Sequence, residues 1–131
     1  MSAEIFLWAS LQFANEEAIE AANDELEEEG YRQHEDNLLL DGDALQREGT
    51  ELRCFWEGSA PSGCFEITAG ALEIYARHAA GGEAIALELD AGFGYRYPGG
   101  YDAEDPDFDD ELEADEVREL HADRRGRTLR T

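Results

Sequence analysis

The chain has 131 residues, 42% of them hydrophobic and 10% aromatic, enough for one core that buries about two-thirds of the unfolded surface. Its 33 Asp and Glu residues face 10 basic ones, all arginine, for a formal net charge of −23. DNA, RNA and anionic lipid all demand basic patches and repel such a surface, so direct nucleic-acid and membrane binding are set aside.

Residues 4–13 cluster Ile5, Phe6, Leu7, Trp8, Leu11 and Phe13, which predicts a buried strand. No basic leader precedes this apolar run, and Ser10 and Gln12 interrupt it, so it reads as a strand and not as a signal peptide. Nothing approaches the roughly 20 apolar residues that span a bilayer, and the cytosol is the expected location. Asn15 then predicts a helix N-cap, with Glu16 and Glu17 in a first turn that favours carboxylates. Ala18, Ile19, Ala22 and Leu26 recur at helical spacing, and Gly30 supplies the stop. Residues 31–40 predict a weaker second strand, Asp41-Gly42-Asp43 a turn, residues 50–56 a third strand, and residues 58–63 a loop.

Phe65, Ala69, Leu72, Ala76 and Ala79 then form a helical stripe. That helix begins just past Pro61-Ser62, or at Ala69 if residues 64–68 make a short strand; in either case it ends at Gly81-Gly82. Residues 83–90 alternate Ile85, Leu87 and Leu89 against Glu88 and Asp90, which predicts a strand. The Gly- and Tyr-rich residues 91–100 predict an edge strand or hairpin. The order strand, helix, strand, strand, helix, strand is the βαββαβ pattern of ferredoxin-like α+β domains, a fold that hosts many unrelated functions. The expected organisation is a compact domain over residues 1–100. Beyond it lies an acidic, partly helical extension over 101–131 that ends in an Arg-rich tail.

Little in the chain suggests catalysis. Cys54 and Cys64 read as two buried thiols, and no C-x-x-C or Cys/His cluster offers a zinc site. His34, His78 and His121 fall in three different elements, with no nucleophile elbow or phosphate loop beside them. Neither an enzyme nor a cofactor is expected. Asp105, Asp107, Asp109, Glu113 and Glu116 copy several offsets of an EF-hand loop, but Asp110 stands where that loop needs glycine, so no metal is expected there either.

Function is expected in the charge. Residues 102–119 hold eleven carboxylates: Asp102, Glu104, Asp105, Asp107, Asp109, Asp110, Glu111, Glu113, Asp115, Glu116 and Glu119, against the lone Arg118. A helix opened by Pro106 would carry them to about Ala122, on a ragged apolar stripe of Phe108, Leu112, Ala114, Val117 and Leu120. Eighteen helical residues span about 27 Å, a length over which duplex DNA carries roughly 16 phosphate charges. Tyr97 and Tyr101, beside this run, are candidates for a recognition surface. A second acidic patch is expected from Asp24, Glu25, Glu27, Glu28 and Glu29, where carboxylates oppose the dipole at a helix end.

In size, charge and layout, though in no motif, the chain resembles the phage- and mobile-element-encoded DNA mimics, including anti-CRISPR and anti-restriction proteins. The likeness implies an inhibitor whose carboxylates occupy the basic site of a nucleic-acid-binding protein. An immunity protein or antitoxin that neutralises a basic nuclease would use the same chemistry. In a halophile's acidic domain, by contrast, the charge would be adaptation to solvent.

Overall fold

The computed structural model describes residues 2–31, 35–40, 44–101 and 111–129. Side chains alternate across a strand, and β1 (Ser2–Gln12) is apolar on both faces. Ala3, Ile5, Leu7, Ala9 and Leu11 join one core cluster, while Phe6 joins another with Trp8 packed against it. A strand apolar on both sides belongs in the middle of a covered sheet. β1 accordingly pairs antiparallel with β3 (Glu51–Pro61) on one side and β4 (Gly81–Glu88) on the other. β2 (Leu45–Glu48) extends one edge; β5 (Phe93–Pro98) and β6 (Glu111–Leu112) extend the other. The result is a mixed α+β architecture with one antiparallel sheet in the order β2-β3-β1-β4-β5-β6.

Two helices cover the larger core. In α1 (Glu16–Glu28) the Asn15 side chain accepts from the Ala18 amide at 3.0 Å, and Ile19, Ala22 and Leu26 are buried. Gly30, at φ +80°, closes the helix: its N–H donates to the Glu27 carbonyl at 3.2 Å and the Tyr31 N–H to Leu26 at 2.9 Å, the two bonds of a Schellman motif. In α2 (Ser62–His78) the expected stripe of Phe65, Ala69, Leu72 and Ala76 is buried. Cys54 and Cys64 are free, buried thiols, and burial pushes Cys54 up to about 12. Among the described residues no helix is long and apolar enough to cross a membrane.

Four expected elements come out differently. Residues 31–40 are not a strand in their described part; Leu38–Leu40 form a 3-10 turn. Asn37 donates to the Tyr31 carbonyl at 3.0 Å and accepts from the Leu39 amide at 3.0 Å, and Thr68 accepts from the Leu38 amide at 2.9 Å. These side chains meet backbone needs that a ladder would otherwise serve. Most of the expected loop at 58–63 is strand, because β1 pairs with β3 as far as Ser2 opposite Pro61. α2 stops at His78, and Gly81-Gly82 open β4. Finally, residues 111–113 do not continue a helix from Pro106. Leu112 pairs opposite Gly94 and buries itself in the second core, and α3 (Ala114–Leu129) starts only afterwards.

Gly82 sits at φ +87°, where a Cβ would fall 2.0 Å from the Ser10 carbonyl oxygen. Gly82→Ala is expected to cost about 2–4 kcal/mol, part from left-handed backbone and the rest from pushing β4 off β1. Urea unfolding measures this; an unshifted midpoint would show that the strand relaxes around the methyl group.

Candidate functional site

The described part of the acidic run, residues 111–119, takes its geometry from β6 and α3. The helix starts with a reach-back contact, the Glu113 N–H to Glu116 Oε1 at 3.4 Å, and with Asp115 and Glu116 in the first turn, where the dipole favours them. Val117 is then fully buried against Phe6, Ile85 and Leu87, with Leu120 packed beside it. The same face continues with two polar residues. His121 meets the Phe6 ring edge-on at 4.8 Å and places Nε2 2.7 Å from Glu57. Arg124, only 7% exposed, lies 5.1 Å over the Trp8 ring and pairs with Glu83 and Asp123.

The arrangement sorts charge by direction. Arg125 approaches Glu57 at 3.3 Å, and Glu83 also takes Arg96 at 2.7 Å. The buried Arg124 and the exposed Arg125 are thus both matched to carboxylates of the sheet. Glu111, Glu113, Asp115, Glu116 and Glu119 are all exposed. Among the described residues of this stretch only Arg118 lies with them as a cation, and it pairs with Asp115. The other six carboxylates, Asp102, Glu104, Asp105, Asp107, Asp109 and Asp110, lie outside the described residues, as does most of the EF-hand-like spacing. The expected 27 Å helix carrying all eleven is not formed, because β6 interrupts it. Among the described residues no group of three or more His, Cys, Asp or Glu is placed to hold a metal ion.

The chain matches no family model, no curated protein and no solved structure.

The second patch divides. Asp24, Glu27, Glu28 and Glu29 are exposed at the end of α1. Glu25 does not belong with them, because α2 brings up its own basic last turn: Arg77 pairs with Glu25, and Nε2 of His78 lies 3.1 Å away. Burial would raise the Glu25 carboxyl, but the hydrogen bonds from His78 and Arg77 outweigh it and hold it below its ordinary value. A carboxyl lowered in the folded state contributes stability that is present above its unfolded value near 4.5 and is lost as pH falls below it. The stability advantage of wild type over Glu25→Gln is therefore expected to shrink as pH drops from about 5 to 3. Urea titrations across that range test it; a constant gap would remove the pairing as its source.

Of the two candidate tyrosines, Tyr97 is only 3% exposed and so presents no free recognition face. It is stacked between Tyr95 and Tyr101, with ring centroids at 5.8 and 5.6 Å, as part of the sheet's packing against α2. Tyr101 is half-buried. Sequence reasoning missed a hollow beside this column, bordered by Tyr31, Tyr95, Glu66 and Glu73. Its members come from three separate elements, and no local pattern joins them. On the same side, burial together with Asp90 and Glu66 pushes the Glu88 carboxyl up.

Proposed function

We propose that this chain is a non-enzymatic inhibitor that mimics DNA, covering the basic nucleic-acid-binding site of a partner protein in the manner of anti-CRISPR and anti-restriction proteins. One observation carries the reading: α3 turns His121 and Arg124 inward onto sheet carboxylates, while its own Asp115, Glu116 and Glu119, and Glu111 and Glu113 just before it, are exposed. The helix start favours Asp115 and Glu116, but it gives no such reason for Glu111, Glu113 or Glu119, and a net charge of −23 opposes compaction. A partner that grips phosphates is the chemistry such a face complements. The same chemistry would suit an immunity protein that blocks a basic nuclease.

The mount we propose is a ferredoxin-like domain in the cytosol. The antiparallel order β2-β3-β1-β4, with α1 and α2 packed into the core on one face, supports the fold, and β5, β6 and α3 are additions on the β4 side. The buried free thiols suit a reducing compartment.

The test is capture of a partner from a host lysate by wild type and by a variant with amides at Glu111, Glu113, Asp115, Glu116 and Glu119. Recovery of the same partner by both would eliminate α3 as the contact. Salt adaptation is separated by melting the protein in low and in molar salt: a fold that collapses at low salt favours it.

A further inference from the structure

Tyr31 follows the Gly30 stop and lies across the middle of α2 at Gly70, where a Cβ would stand 2.9 Å from the Tyr31 hydroxyl oxygen. Glycine is unfavourable inside a helix, and here its missing side chain makes room for the phenol. Two hollows open beside the ring, of about 220 and 280 Å3, and both are bordered by Tyr31, Gly70 and Glu73. The smaller one already contains a cation, since Arg77 borders it next to Glu25. The larger one has none among the described residues that line it.

The larger hollow combines two kinds of wall. Glu66 and Glu73 stand on α2 seven residues apart, about 10 Å along the helix axis, so they bracket the space from two ends. Glu66 is exposed, and among the described residues Glu73 makes a long i,i+4 pair with Arg77 Nε at 3.9 Å. Between them the lining is aromatic, Tyr31 with Tyr95 and Tyr97; Tyr95 is itself stacked between Phe65 and Tyr97, which leaves Tyr31 as the ring for a ligand to stack on.

We infer that this hollow receives the guanidinium of an arginine presented by the basic partner protein. A planar guanidinium stacks on an aromatic ring while its edge donates to carboxylates, a combination that the compact, strongly hydrated lysine ammonium matches less well. The inference rests on the inhibitor reading above and adds a second contact to it, on the face of the sheet opposite α3.

The test titrates the isotope-labelled full chain with three probes: a blocked peptide of alternating Gly and Arg, its Lys counterpart, and arginine amide. The Arg peptide should shift the amide resonances of Tyr31, Gly70 and Tyr95. Its affinity should fall about fivefold or more in Glu66→Gln/Glu73→Gln, two exposed pairs at the usual strength. Glu66→Gln alone, at an exposed position, should show part of that loss in a chain whose fold is undisturbed.

Unchanged affinity in both variants, or shifts confined to α3, would overturn the groove and leave the α3 reading intact. Groove shifts that persist with the five exposed carboxylates of residues 111–119 amidated would support the groove, and the fate of lysate capture then decides the α3 face separately. Equal binding of the Lys peptide would overturn the guanidinium argument. Equal affinity for arginine amide would identify a small-molecule site and overturn the protein partner.

Discussion

Converting Glu111, Glu113, Asp115, Glu116 and Glu119 to amides is expected to weaken partner binding by ten- to a hundredfold. Each is exposed, and an exposed ion pair contributes about 0.5 kcal/mol, so five together approach 2.5 kcal/mol. Most of the effect should appear in the association rate at low salt, because a charged face steers encounter before it makes contacts. Raising the salt should erase the difference between wild type and variant as the Debye length shrinks. The variant's melting temperature should stay level or rise, since Glu116→Gln keeps the side-chain oxygen that caps the Glu113 amide and the change relieves self-repulsion. Surface plasmon resonance against the captured partner gives rates at several ionic strengths. A variant with unchanged association at low salt would end the charge-mimic reading even if the complex itself is real.

The second large effect lies underneath that face. Arg124→Ala is expected to lower stability by about 2–3 kcal/mol, on the order of 10 °C in melting temperature for a chain of this size. Removing one member of a buried ion pair leaves the other desolvated and unmatched. Here the loss falls at the low end, because Glu83 keeps Arg96 at 2.7 Å. The substitution also removes the cation stacked 5.1 Å over Trp8. What still holds α3 is then Val117, Leu120 and the contacts of Glu57 with His121 and Arg125. Release of α3 would uncover Phe6, Ile85 and Leu87, so near-UV dichroism of Trp8 should change and a hydrophobic dye should bind more strongly. Arg124→Lys, which keeps the charge and loses the planar stack, should fall between. A melting temperature within about 2 °C of wild type would show that α3 is held by something other than this arginine.

Where the local pattern decided the structure, it was readable. The apolar cluster of β1, the Asn15 cap, the Gly30 stop and the four-residue stripe of α2 each act through neighbours a few positions away. Residues 31–40 read as a strand from Leu38, Leu39 and Leu40, yet Thr68, some thirty positions on, supplies the acceptor that holds them as a turn. The end of β3 looked like a loop because Gly58, Ser59 and Pro61 are poor strand formers, and β1 overrode that preference by offering a full ladder. The stripe of α3 looked ragged because half of it is His121 and Arg124. Polar side chains with planar or aliphatic bodies cover apolar surface while their heads pair at its margin.

By itself the sequence determined the sign and size of the field, since net charge is a sum that no rearrangement alters, and it determined the elements whose periodicity is local. Only the tertiary structure decided which carboxylates are matched inside the fold and which stand outward at its surface. Glu25, Glu57 and Glu83 look no different in the chain from Glu28 or Glu119. They are matched because antiparallel pairing and helix packing bring Arg77, Arg125 and Arg124 to them from at least 40 residues away, within ion-pair distance.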